Sequence, residues 1–197
     1  MKRRNLLLSA GALAVCMTSP AWAVNSAETF VGTNIQAGFD ILNDPAASVA
    51  QRRERFAVFL LGLTDVRRVA LFMLGRYAQG ASPADLDAYV AAYQDHVQSV
   101  YQSYFARYAG QSLHVISSRE RAPGDFVVTT TITGKGSEPM EVDFRVKTDG
   151  TKPLLLDIGI AGVWLAPAQQ AEFLAVLSQN NGDIKALSAH LRTAQAR

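Results

Sequence analysis

Cysteine is all but missing. The 197 residues hold one, Cys16, and it falls in a stretch that reads as a leader. Lys2-Arg3-Arg4 form a basic start, 6–15 a largely apolar run, and Ala21-Trp22-Ala23 a small-residue cleavage site. The apolar run is about ten residues, half of the roughly 20 that span a bilayer. The expectation is a cleaved signal peptide over 1–23, export, and a single domain over 24–197. Losing Cys16 with the leader leaves no disulfide and no thiol nucleophile. Leu13-Ala14-Val15-Cys16 has the outline of a lipoprotein box, but bulky Val15 stands where a small residue is wanted. Arg3-Arg4 also fits a twin-arginine leader, another route to the same compartment.

Excess charge of one sign is missing as well. Nineteen Lys and Arg against 17 Asp and Glu give +2, and removing Lys2, Arg3 and Arg4 with the leader turns the balance to −1. Nothing there draws a nucleic acid. No Pro/Gly/Ser linker, repeat or low-complexity tract divides the roughly 174 remaining residues, which suit one domain with a substantial core.

Chemistry-bearing motifs are equally scarce. The three histidines, His96, His114 and His190, show no metal spacing, and there is no H-E-x-x-H or G-x-S-x-G. Gly134-Lys135-Gly136 lacks the rest of a phosphate loop and reads as a hairpin turn. One acid–base pair remains conceivable, His96 or His114 with Asp157 as general base, against the plainer reading of isolated hydrogen-bonded histidines. No catalytic residue, metal ligand or cofactor is expected, and the chain is not expected to be an enzyme.

What the sequence does have is apolar and aromatic surface between 64 and 110. Residues 66–77 read VRRVALFMLGRY, apolar on nearly every side, and 83–109 carry five of the six tyrosines: Tyr89, Tyr93, Tyr101, Tyr104 and Tyr108. A surface helix needs only one stripe about 100° wide. The surplus has two readings: a centrally buried helix, or the wall of an apolar cavity whose tyrosine hydroxyls sit at a wet mouth. Arg52, Arg53, Arg55, Arg67 and Arg68 likewise either hold an anionic headgroup or partner, or form a solvated face.

Apolar periodicity places helices over 29–42, 48–63, 64–80, 83–109, 168–177 and 184–191. Ser82, Pro83 and Asp85 supply the clearest helix start. From 112 the period changes to two, giving strands over 112–118, 126–133, 140–147 and 154–160, joined by short turns. Met140, Val142, Phe144 and Val146 share one face of the third, and Glu141, Asp143, Arg145 and Lys147 the other. The expected fold is α+β, with helices on one face of a curled, mainly antiparallel four-stranded sheet enclosing an apolar lipid cavity.

These residues resemble the MlaC family, the toluene-tolerance auxiliary components of ABC transport systems. The likeness rests on Thr64-Asp65-Val66-Arg67-Arg68-Val69-Ala70-Leu71-Phe72-Met73-Leu74-Gly75-Arg76-Tyr77, the Ala81-Ser82-Pro83 turn, the tyrosine series and the Tyr108-Ala109-Gly110 stop. It extends through Asp157-Ile158-Gly159-Ile160-Ala161-Gly162-Val163 and Asn181-Gly182-Asp183-Ile184-Lys185-Ala186-Leu187. The resemblance implies a monomeric periplasmic carrier of a Gram-negative bacterium, with phospholipid as cargo. Such a carrier moves lipid between an outer-membrane lipoprotein complex and an inner-membrane ABC transporter with an MCE-domain subunit; a hopanoid or another apolar ligand is the alternative cargo. Ala161 and Trp164 depart from the family pattern, which has glutamate and serine there. The expected lipid wall comprises Phe59, Leu63, Val69, Phe72, Met73, Tyr93, Val97, Val100, Tyr101, Tyr104, Val142, Phe144, Leu156 and Ile158.

Overall fold

The computed structural model describes residues 21–105, 112–134, 137–148 and 152–194. Helix α1 (Ala21–Leu42) is followed by α2 (Val49–Gly62), α3 (Val66–Leu74) with a 3₁₀ turn (Gly75–Ala78), and α4 (Pro83–Phe105). Strands β1 (Ser112–Ala122), β2 (Asp125–Gly134), β3 (Ser137–Lys147), β4 (Leu154–Ile160) and β5 (Val163–Trp164) come next, then α5 (Leu165–Gln179) and α6 (Ile184–Ala194). Helices first, strands next and helices last is the expected α+β order.

The helix starts are made by side chains that the sequence places there. Ser48 closes a capping box on α2: its hydroxyl accepts from Gln51 N at 3.2 Å, and Gln51 Oε1 accepts from Ser48 N at 2.9 Å. Asp65 accepts from Arg68 N at 3.0 Å and caps α3. Ser82 accepts from Asp85 N at 3.1 Å ahead of Pro83, so α4 begins where expected. The last expected residues of that helix, 106–109, lie outside the described residues.

The sheet is an antiparallel meander, β1-β2-β3-β4-β5. It has five strands where alternation predicts four. The fifth is two residues long, too short to show a period. Ala161 (φ 49°) and Gly162 (φ 81°) make the two-residue turn that folds it back on β4, pairing Ile160 with Val163. Glycine is the usual residue at such φ, and alanine hides the signal. Helix α5 also starts three residues before the expected 168. Pro167 falls inside its first turn, where an N–H has no intrahelical partner anyway, and Asp157 Oδ1 on β4 accepts from Ala166 N at 2.9 Å. A strand side chain thus caps a helix eight residues later in the chain, which no local pattern announces.

Register assigns the two faces. Phe126, Val128, Thr130 and Ile132 of β2 stand beside Val146, Phe144, Val142 and Met140 of β3, with Ile158 and Ile160 of β4 continuing the row. This inner face is the apolar one that β3 predicts. The outer face carries Arg145 opposite Val127 and Asp157, and Asp143 opposite Thr129 and Gly159. There Arg145 grips Asp125 through Nε (3.0 Å) and Nη2 (2.7 Å), and Thr129 donates to Asp143 at 2.6 Å.

Buried apolar side chains form two clusters. The larger lies wholly among helices: Leu61, Ala70, Met73, Leu74, Tyr89, Tyr93, Val97, Phe173, Leu177, Ile184, Leu187 and Leu191. The smaller joins α1 to the sheet, with Ala27 and Val31 against Phe126, Val128 and Val146. Helix α1 is antiparallel to α2 beside it, since Gly38 lies against the Phe56 and Phe59 rings while Arg55, earlier in α2, reaches Asp44 beyond the end of α1.

A candidate apolar binding site between two cores

The inner sheet face is covered unevenly. At one end α1 seals it: Phe126, Val128 and Val146 have no exposure, and Ser118 of β1 donates to Glu28 of α1. Towards the other end Leu113, Ile132, Ile158 and Ile160 are only half-buried and Met140 is exposed, although they continue the same apolar face. On the helical side, Phe59, Leu60, Leu63 and Val100 on and after α2 and on α4 are also half-buried and belong to neither cluster.

The residues predicted to form a wall fall into distinct groups. Met73, Tyr93 and Val97 lie in the helical cluster, with Val69 packed on it. Phe144 packs on the sheet cluster, and Val142 is buried beside it in the register. Phe59, Leu63, Val100, Leu156 and Ile158 are the half-buried set outside both clusters. Phe72 is 50% exposed on the outer side of α3. The side chains of Tyr101 and Tyr104, and all of Tyr108, lie outside the described residues.

The tyrosine reading needs correcting at one residue. Tyr89 has no exposure and its hydroxyl no hydrogen-bond partner among the described residues, so it sits in dry core and not at a wet mouth. Burial pushes its phenol well above the ordinary range, with Tyr93 adding to the shift. Tyr93 does find a partner, donating to Gln169 at 3.4 Å, while its ring meets Phe173 edge-on with centroids 6.2 Å apart.

The conceivable His–Asp pair is not assembled. His114 is exposed on β1 in register with Thr131, and Asp157 is on β4. Three strand spacings, about 14 Å at 4.8 Å each, separate those strands. His96 packs edge-on to the Phe173 ring at 6.1 Å, and its Nδ1 is buried without a partner among the described residues. Burial, then His190 nearby, lowers its pKa, with Glu172 opposing. Asp157 is committed elsewhere, accepting from Ile158 N (2.8 Å) and Ala166 N (2.9 Å). Its own pKa is raised by burial, which those N–H groups and Arg145 only partly offset.

The arginine run divides. Arg55 pairs with Asp44 at 2.9 Å and Arg67 with Asp87 at 2.6 Å; Arg52 donates to the Asp44 carbonyl at 3.4 Å. Arg68 is exposed. Arg53 differs: it is half-buried and its Nε is shut from water with no hydrogen-bond partner among the described residues. Elsewhere, an open groove of about 550 Å³ runs between the Arg76–Ala81 turn and the start of α6. Its cations are occupied, Arg76 by Tyr77 and Lys185 by Asp85.

Helices lie over one apolar face of a curled antiparallel sheet, and part of that face is only half-buried. The chain belongs to the MlaC family: the family model described as MlaC protein matches residues 33–193. The fold is also similar to that of a solved phospholipid-binding protein from Ralstonia solanacearum, determined in complex with a phospholipid. That match has a TM-score of 0.74 and 23% identity, and covers 87% of this chain and 97% of that one. Among the described residues no helix is long and apolar enough to cross a membrane.

Proposed function

We propose that this protein is a periplasmic phospholipid carrier, exported by a signal peptide over 1–23 and working as one domain over 24–197. It shuttles lipid, as a monomer, between an outer-membrane lipoprotein complex and an inner-membrane ABC transporter with an MCE-domain subunit. The observation that carries the reading is the division of the core. A domain built for stability alone packs its clusters to native density, whereas here half-buried apolar residues of the sheet's inner face and of the helices belong to neither cluster. Family membership and the phospholipid-bound fold relative support the same cargo.

In this reading acyl chains complete the core. Phe59, Leu63, Val100, Leu156 and Ile158 line them with Val142 and Phe144, together with Tyr101 and Tyr104 from the last turns of α4. Met73, Tyr93, Val97 and Val69 form the packed backing of the wall, and Phe72 stands at its rim. Two chains of 16 carbons gain roughly 25 kcal/mol on leaving water at about 0.8 per CH₂. A bilayer gives them the same gain, so the carrier only has to match it, and direction comes from its partners and from ATP hydrolysis at the transporter. No cofactor enters this scheme and no chemistry is done on the cargo.

The test is native mass spectrometry of the mature protein purified from the periplasm, with extraction and identification of whatever is bound. A phospholipid at about one per protein is expected. An empty protein, or a hopanoid in its place, overturns the assignment of cargo.

A further inference from the structure

Arg52, Arg53 and Arg55 occupy one turn of α2, yet only two of them are anchored. Asp44 takes both, Arg55 through its carboxylate and Arg52 through its carbonyl. Arg53 lies three and four residues before Phe56 and Ala57, so it shares the inward face of α2 with those buried side chains. Its Nε is sealed from water without a partner, and no described residue forms an ion pair with its guanidinium. Two carboxylates at the end of α1 are used by others: Asp44 by Arg55 and Ala46 N, Asp40 by Gln36. A buried Nε donor with no acceptor among the described residues marks a place for an acceptor, because leaving such a donor unmatched is costly.

Its place in the fold says which anion. The N-terminal half of α2 lies beside the end of α1, away from the sheet end that α1 seals and from Leu63, whose carbonyl accepts from Leu155 N at 2.8 Å. Further along the inward face of the same helix come Leu60 and Leu63, which belong to the half-buried set. A charged anchor followed along one helix face by half-buried apolar side chains matches a molecule with an anion at one end and hydrocarbon behind it. We propose that Arg53 binds the phosphodiester of a glycerophospholipid, its planar fork taking two phosphate oxygens. The site rests on the proposed carrier function and gives it a headgroup contact: cargo is selected by its phosphate, not by acyl chains alone.

The test compares uptake from vesicles containing phosphatidylglycerol and diacylglycerol with the same acyl chains. Wild-type protein is expected to prefer the phospholipid by about tenfold or more, the range of a hydrogen bond to a charged group. Arg53→Met is expected to take both alike, Arg53→Lys to keep part of the preference, and Arg68→Met to behave as wild type. Circular dichroism and melting of each variant establish that it is folded. If wild type takes up no phospholipid, the carrier reading itself fails, and this site with it. If wild type prefers phospholipid and folded Arg53→Met keeps that preference, carriage stands and the Arg53 site is overturned. A third arm titrates inorganic phosphate alone: Arg53-dependent stabilisation by millimolar phosphate would assign the site to free phosphate and overturn its role in lipid selection.

Discussion

Replacing Tyr89 by phenylalanine should make this protein more stable. The ring has no exposure and lies in the helical cluster beside Tyr93, and its hydroxyl has no partner among the described residues. In the unfolded chain that hydroxyl is hydrated. Folding strips the water and gives nothing back, a cost of about 1–3 kcal/mol for an unmatched buried polar group. Tyr89→Phe removes the cost and keeps the ring packing, so a gain of about 1–2 kcal/mol is expected. For a domain of this size each kcal/mol moves the melting temperature by about 2–4 °C, so calorimetry should show a rise of about 2–8 °C. Tyr93→Phe is the control: it deletes a real, long hydrogen bond to Gln169 (3.4 Å) and should cost up to about 1 kcal/mol. Lipid content should not change in Tyr89→Phe, because the residue belongs to the helical cluster. Destabilisation by 1 kcal/mol or more would refute the reasoning, showing that a water or a lipid atom satisfies the hydroxyl.

Other perturbations separate wall from core. Phe144→Glu should give a folded protein whose bound lipid falls severalfold on extraction, whereas Val97→Glu buries an unpaired carboxylate in the helical cluster and should lower stability by several kcal/mol in a urea titration. Equal loss of fold in both would sink the distinction. Asp125 is held below the ordinary carboxylate range by Arg145, so its contribution is present above about pH 4 and is lost as pH falls through its folded pKa. Arg145→Met should therefore move the acid-unfolding midpoint to higher pH. Asp157, raised by burial, does the reverse: stability declines as pH rises from about 4 through its folded pKa. Asp157→Asn should flatten that decline while keeping the acceptor for Ala166 N, and Asp157→Ala should lose it. His96 is depressed by burial, so stability should fall as pH drops below about 6.5 towards the folded pKa, a slope that His96→Gln should remove.

Much of the architecture was legible. The change of period at 112, the alternation of β3 and the caps at Ser48, Asp65 and Ser82 are local facts, set by which backbone groups need partners and which face must be dry. Legibility failed where partners come from afar. Strand β5 exists because Ala161 adopts a left-handed turn that pairs two residues with β4, and α5 begins early because Asp157 caps it across the fold. The site was legible by composition and not by position: an apolar surplus between 64 and 110 does not say which side chains face a gap and which face each other.

By itself, then, the sequence determined the α+β order, the apolar face of the sheet and the family, since these rest on periodicity and short motifs carried within single elements. Tertiary structure alone decided that Met73, Tyr93 and Val97 join a helical core, that Tyr89 is dry, and that Arg53, beside two anchored arginines, turns inward with its Nε unmatched among the described residues. The physical reason is that burial and pairing belong to pairs of surfaces. Helical spacing fixes which residues share a stripe, but what that stripe meets depends on how α1 and α2 divide the space over the sheet.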